Sequence, residues 1–346
     1  MRSLFRGAVD SRALDHAGPH VRNGTPKVFQ GLATSHKRHS QFQQSKLTVL
    51  SGRGITALYR LGAWSARRLP ESVAGALPGV LARPLHLILR SKRSMVTRHM
   101  RRSLGADADH KSVRSATQNA FASYSRYWIE SFRLPSRTSL QLTEGIDVPD
   151  YRFVEEALDR GKGVILALPH LGGWEWAGFW MATVNKLPIT VVVEPIRPDR
   201  LFRWFASFRE KLGMKVVPLS ASAGAEIAAA LKRNEIVCLL CDRHISGGGS
   251  EINFMGETTT LPAGPALLAL RTGATILPTA VYFEPQGKHL GMVRPPIDTA
   301  RVGTVKEDVQ RITQLLAAEL EVLIRRDPEQ WHLFQPNWPS DLSEQK

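Results

Sequence analysis

The stretch GVILALPHLGGWEWAG, residues 163–178, decides how the rest of the chain is read. Val164 to Leu168 form an unbroken apolar run, the pattern of a strand buried on both faces rather than one with a wet side. The run stops at Pro169-His170, passes through Leu171 and the pair Gly172-Gly173, and enters a second apolar segment headed by Trp174 and Glu175. Strand, short glycine turn and helix follow in that order.

The same alternation continues on both sides. Helix-like YRFVEEALDRGK (151–162) leads into the strand. After the helix WEWAGFWMATV (174–184) come a strand ITVVVEP (189–195), a helix RLFRWFASFREKLG (200–213) and a short strand KVVPL (215–219). Then follow a helix AGAEIAAALKRN (223–234), a strand EIVCLLCD (235–242), a Gly-rich loop and EINFMG (251–256). A helix GPALLALRTG (264–273), a strand ATILPTAVYF (274–283) and a long helix at about 304–326 complete the series. Strands alternating with helices predict an α/β fold: a mostly parallel central sheet flanked by helices on both faces.

Composition sets the outer limits. With 346 residues, 43% hydrophobic and 22% charged, the chain is globular, and collagen-like or wholly disordered readings fall away. Its two cysteines, Cys238 and Cys241, make no disulfide framework, which fits a reducing compartment. The net charge is +15, and it is unevenly placed. Residues 1–135 carry 23 Lys and Arg against 6 Asp and Glu, whereas residues 136–346 carry 23 against 25. The positive excess therefore belongs to the N-terminal part. Such a region suits an acidic partner: anionic lipid, nucleic acid or a phosphorylated ligand.

Three regions follow. Residues 1–46, polar and without a sustained period, read as a disordered tail. Residues 47–135 read as a basic, amphipathic helical platform facing a membrane and packed with the rest as one domain. Residues 136–340 form the α/β core. In the platform, Leu50, Ile55, Leu58, Leu61 and Trp64 fall near one helical face, with Arg53, Arg60, Arg67 and Arg68 near the other. A second apolar piece, VAGALPGVLARPLHLILR (73–90), is expected to be broken by Pro78, Arg83, Pro84 and His86. A bilayer span needs about 20 mostly apolar residues, so an interfacial position is expected instead. The plainer alternative is a soluble helix pair with a solvated basic face. A further helix is expected at 111–134, its aromatic residues serving as core.

The chemistry concentrates at the end of the 163–169 strand. In open α/β sheets, ligand groups gather at the carboxyl ends of strands, and a histidine there, with an ordinary pKa near ~6.5, can take a proton at neutral pH. Glu175 is placed to fold back onto a ring nitrogen of His170 and fix its tautomer, as the acid of a triad does. Gly172 and Gly173 offer close backbone approach and N–H groups for an oxyanion. A turn-bound histidine and a helix-start acid are the bland alternative. No His-Glu-any-any-His spacing points to zinc, and no Gly-x-Ser-x-Gly elbow points to a serine hydrolase. No bound cofactor is expected.

With these residues in place, the chain resembles the glycerolipid and lipid A acyltransferase superfamily, marked by His, four residues, then Asp or Glu. The block VEPIRPDRLFRWFASFREKLGMKVVP (193–218) is similar to that family's second motif. CDRHISGGGSEINFMGETTTLPAGPALLALRTGATILP (241–278) is similar to its third and fourth, and RDPEQWHLFQPNW (326–338) to its closing Pro-Glu-x-Trp. Within the superfamily the nearest resemblance is to the actinobacterial phosphatidylinositol mannoside branch.

That resemblance implies transfer of a fatty acyl chain, palmitoyl by expectation, from acyl-CoA to a mannose hydroxyl of an anionic phospholipid. His170 is then the general base, with no covalent acyl-enzyme, and acyl-CoA enters as a substrate rather than a resident cofactor. The resemblance further implies substrate contacts for Glu194 with sugar hydroxyls and for Arg209 with a polar head. Asp242 and Arg243 are expected as a buried ion pair bracing the histidine. His244 stands where many relatives carry an acid. The enzyme is expected on the cytoplasmic face of the cell membrane, held peripherally, with no nucleic-acid partner. A different lipid acceptor, or a basic nucleic-acid-binding protein, are the competing readings.

Overall fold

A computed structural model describes residues 52–245 and 249–343. The tail expected over 1–46, together with Gly247 and Gly248, lies outside the described residues. Four helices open the described chain: α1 (Gly52–Arg68), α2 (Glu71–Ile88), α3 (Arg90–Leu104) and α4 (His110–Arg133). Asp109 caps α4, accepting from the N–H groups of Lys111 and Ser112 at 2.7 and 2.9 Å.

The second apolar piece is one helix, not a broken one, and runs through both Pro78 and Pro84. Its buried residues, Ala74, Pro78, Ala82 and His86, recur every four positions and form a stripe. Packing of that stripe, with the His86 ring edge-on to Phe121 of α4 at 5.6 Å, offsets the backbone hydrogen bonds that the prolines remove. On α1 the small side chains Ala63 and Ala66 face inward, while Leu58, Leu61 and Trp64 stand 54–59% exposed. The apolar stripe of α1 therefore points away from the protein. No single described helix is long and apolar enough to cross a membrane; α2 and α3 pass that test only together, and they meet at a bend of 107°.

Seven strands build the main sheet: β1 (Ile146–Asp147), β2 (Val164–Leu168), β3 (Ile189–Val193), β4 (Met214–Pro218), β5 (Ile236–Leu240), β8 (Thr275–Phe283) and β9 (His289–Val293). Their order is β1-β9-β8-β2-β5-β3-β4, parallel at every neighbouring pair except β8 with β9. The predicted α/β class is what the structure has. A separate hairpin, β6 (Gly249–Phe254) with β7 (Glu257–Pro262), follows β5; its second strand was not expected, because ETTTLP is polar and short. The short strands β1 and β9 likewise carry no apolar run.

Helices cover both faces. On one lie α6 (Arg152–Asp159), α7 (Trp174–Thr183) and α8 (Asp199–Lys211), which enclose Val164, Leu166 and Leu168 with Trp176, Phe179 and Phe208. On the other lie α9 (Ala223–Lys232), α10 (Gly264–Thr272) and α11 (Val305–Arg326), together with α3 and α4. That face takes the alternate residues Ile165 and Ala167 of β2. All five β2 residues are buried, so the period of two divides them between the two cores. A short α5 (Ser139–Glu144) and a terminal α12 (Pro339–Ser343) complete the elements used below.

The end of α11 is tied to the sheet by one hydroxyl. Tyr282 of β8, buried, donates to the Leu323 carbonyl at 2.6 Å, satisfying an acceptor in the helix's last turn. Tyr282→Phe strands that carbonyl and is expected to lower stability by about 1–2 kcal/mol in a denaturant melt. An unchanged midpoint would show that the helix end finds another donor.

Candidate active site

The register of two strands assembles the site. Leu168 of β2 pairs with Leu240 of β5, and Cys241 N–H continues the ladder to the Leu168 carbonyl at 2.8 Å. Two residues beyond each strand end, His170 and Asp242 then face each other. His170 Nδ1 lies 2.7 Å from Asp242 Oδ1, and His170 N–H donates to Oδ2 at 3.0 Å. The Trp331 indole N–H donates to the same Oδ2 at 2.7 Å. Burial of Asp242, fully removed from solvent, pushes its carboxyl up, but the His170 ring and these donors outweigh burial and hold it below its ordinary value. An ionised carboxylate at Nδ1 requires Nδ1–H, which leaves the lone pair on Nε2. Nε2 has no hydrogen-bond partner among the described residues, and the side chain, 29% exposed, lines a cavity.

That arrangement differs from the expected one at three points. Glu175 does not hold the histidine. Its carboxylate, 2% exposed at the start of α7, accepts from Arg209 Nε at 3.0 Å and from Arg209 Nη2, and takes the Tyr127 hydroxyl at 3.3 Å. The guanidinium of α8 is mostly withdrawn from water, its side chain 13% exposed, and two such charges that meet outcompete a neutral ring for each other. Burial pushes Arg209 down, yet Glu175 and Tyr127 raise it overall, so it stays charged. Burial and the Glu175 charge drive Tyr127 far above its ordinary range, so it remains a donor.

Gly172 and Gly173 do not form an oxyanion hole. Their N–H groups donate to the Gln330 and Val281 carbonyls at 3.0 and 2.8 Å. Their smallness serves packing instead. Gly172 sits at φ +57° and an added Cβ would lie 2.0 Å from the Val281 oxygen; at Gly173 it would lie 2.6 Å from the His289 ring.

Asp242 and Arg243 do not pair with each other. Asp242 is filled by His170 and Trp331, and Arg243 reaches Glu194, at the end of β3, at 2.8 Å. Glu194, Arg243, Arg209 and His244 nevertheless all line the same cavity as His170. Sequence reasoning missed the contribution of the C-terminal segment. Trp331 bonds Asp242, Asn337 Nδ2 donates to the Asp242 carbonyl at 2.9 Å, and His332 N–H donates to the His170 carbonyl at 2.7 Å. The Pro-Glu-x-Trp motif was the signal available, but nothing in it names a partner.

The cavity measures about 480 Å³, within the span of ~300–1,000 Å³ usual for ligand sites. It opens at the carboxyl edge of β2, β5 and β3 and draws walls from both faces of β5: Cys238 and Leu240 on one, Leu239 and Cys241 on the other. Trp128, Trp174 and Phe205 form its aromatic side. Burial pushes the Cys238 thiol up to about 12 and Cys241 higher still, so neither is a nucleophilic thiolate at neutral pH. Among the described residues no three His, Cys, Asp or Glu side chains converge as a metal site.

A histidine held by a buried carboxylate, with its other ring nitrogen turned to an apolar cavity, is an arrangement able to take a proton from a bound ligand. The chain belongs to the bacterial lipid A biosynthesis acyltransferase family, which matches residues 41–340. It is similar to the phosphatidylinositol mannoside acyltransferase of Mycolicibacterium smegmatis, 37% identical over 311 residues, 86% of this chain and 98% of that one. The protein of the same name from Mycobacterium tuberculosis H37Rv is 38% identical over 229 residues, 65% of this chain and 70% of that one.

Asp242→Asn keeps an oxygen for Trp331 but frees the ring to change tautomer. Turnover is expected to fall by roughly 10³–10⁴-fold with the thermal midpoint little changed. Undiminished turnover would separate Asp242 from the chemistry.

Proposed function

We propose that the enzyme transfers a palmitoyl-class chain from acyl-CoA to a mannose hydroxyl of a phosphatidylinositol mannoside. The observation that carries this reading is the His170–Asp242 pair opening on an apolar cavity large enough for a ligand. The names of its relatives support the acceptor.

In this mechanism His170 Nε2 takes the proton of the acceptor hydroxyl as its oxygen attacks the thioester carbonyl. The C–O bond forms, the C–S bond breaks, and His170 returns the proton to the leaving thiolate. A thioester is already activated, so one base and accurate placement are enough. Asp242 holds the ring and stabilises its transient charge. The Glu175–Arg209 pair, with Arg209 over the Trp174 ring at 5.4 Å, holds the start of α7 and the cavity wall in place. Glu194 and Arg243 offer polar groups to the acceptor head.

The reading places the enzyme peripherally on the cytoplasmic face of the cell membrane. Its support is the outward apolar stripe of α1 beside a cationic surface: Leu58, Leu61 and Trp64 are exposed, and Arg60, Arg67 and Arg68 stand exposed around them. Anionic headgroups would draw in the arginines while the apolar side chains enter the acyl boundary.

Incubation of the purified protein with palmitoyl-CoA and a panel of mannosylated and non-mannosylated lipids is expected to give acylation of the mannosylated ones. His170→Ala should abolish it while leaving the melting curve intact. Acylation of lysophospholipids or lipid A precursors alone would redirect the acceptor; retained turnover in His170→Ala would end the mechanism. Pelleting with anionic but not neutral vesicles, undisplaced by nucleic acid, checks the docking.

A further inference from the structure

An acyl transfer at His170 leaves one charge unattended. As the acceptor oxygen bonds to the acyl carbon, the carbonyl electrons move onto the carbonyl oxygen, and a donor must meet them. The backbone around His170 has none to give. Four consecutive N–H groups are spent: His170 on Asp242, Leu171 on the Pro169 carbonyl, Gly172 on Gln330 and Gly173 on Val281. Of the cavity's guanidinium groups, Arg209 is bound to Glu175 and Arg243 to Glu194.

A neutral ring from the C-terminal segment is tied to the base's own backbone. The His332 ring lines the same cavity, and its backbone N–H bonds the His170 carbonyl at 2.7 Å. Its Nε2 lies 2.8 Å from Ser123 Oγ on α4. Other hydroxyls of that helix turn back on it: Thr117 donates to the Val113 carbonyl and Ser125 to the Phe121 carbonyl. Ser123 makes no such bond among the described residues, so its hydroxyl is free to donate to His332 Nε2. In that arrangement the ring proton resides on Nδ1. Nδ1 has no hydrogen-bond partner among the described residues, and it is not sealed from the cavity. Burial, with His170 adjacent, pushes the ring down to about 3 against the pull of Asp242, so it stays neutral at physiological pH. A neutral imidazole kept as a donor toward a carbonyl is a known catalytic device.

We infer that His332 Nδ1–H is the donor that receives the oxyanion formed on the acyl carbonyl. The inference rests on the acyl-transfer reading above. His332 surrenders no proton: the hydroxyl proton passes to His170 Nε2, the oxyanion is held by Nδ1–H, and collapse re-forms the C=O bond as the thiolate leaves with the proton from His170. Trp331 and His332 thus divide the work of one strand-like segment, the indole serving Asp242 and the next ring serving the substrate.

The test compares three variants with the wild type under saturating acyl-CoA and mannosylated lipid. His332→Ala is expected to lower kcat by roughly 10²–10³-fold with KM little changed. His332→Asn, whose amide N–H₂ occupies the Nδ1 position, should recover at least about tenfold of that loss. His332→Gln, which offers its amide nearer Nε2, should not. Equal losses in the Asn and Gln variants, or an Ala variant within about threefold of wild type, overturn the inference. The ¹⁵N spectrum of the histidine-labelled wild type needs no variant to fold: a protonated Nδ1 at His332 supports it and a protonated Nε2 overturns it. Turnover in His170→Ala defeats the acyl-transfer reading itself; an inactive His170→Ala beside an undiminished His332→Ala defeats only the assignment of His332.

Discussion

Everything at this site depends on one hydrogen bond, between the His170 ring and a carboxylate supplied by the neighbouring strand. A histidine at the end of β2 would otherwise be free to take either tautomer and several rotamers. Asp242 removes that freedom because it is fully buried and must stay satisfied. It is satisfied by a ring, a main-chain amide and an indole that arrive from two distant parts of the chain. The main-chain amide and the ring come from the same residue, so the carboxylate fixes the backbone and the side chain of His170 together. This is why the glycines after it are spent on packing: Gly172 and Gly173 press the turn against β8 and the His289 ring, and any displacement there would move the base.

The second buried charge pair has a different task. Glu175 and Arg209 join the first turn of α7 to the last turn of α8, two helices on one face of the sheet. Buried pairs of this kind add little net stability, since desolvation offsets attraction, but breaking one leaves an uncompensated charge and is costly. Their value lies in geometry. They hold Trp174 and Tyr127, both cavity walls, in one arrangement beside His170.

The fold was legible because its signals are local and repeated. The apolar runs at β2, β5 and β8 and the helical periods between them need no knowledge of neighbours. What could not be read was anything set by register or by distant chain. Only four residues separate Glu175 from His170, which suggested a local pair; the helix start instead turns the acid toward Arg209, a residue from another helix. Asp242 was singled out, but its partner depends on Leu168 lying opposite Leu240, a pairing that no periodicity specifies. Trp331 and His332 reach the site from some 160 positions away, through a segment with only three-residue turns to mark it. The prolines of α2 misled for the opposite reason: their local penalty is real, and tertiary packing on α4 overrides it.

The uneven charge of the chain acquires a spatial meaning on the proposed reading. Tyr59 of α1 packs edge-on to Trp128 at 5.7 Å and to Phe205 at 5.5 Å, and both of those rings line the cavity. On the same helix, within about a turn and a half of Tyr59, Leu58, Leu61 and Trp64 stand exposed. The helix that would enter the lipid interface is therefore also a support of the cavity's aromatic wall. On that reading a lipid substrate would have an apolar path from bilayer to base only a few side chains long. Electrostatic attraction would bring the basic helices to an anionic leaflet, and the nearly neutral α/β body would leave the chemistry undisturbed by that field. The positive excess lies before residue 135, whereas the two guanidinium groups that share the cavity with His170, Arg209 and Arg243, are each paired with a carboxylate and do not compete with Asp242 for the ring.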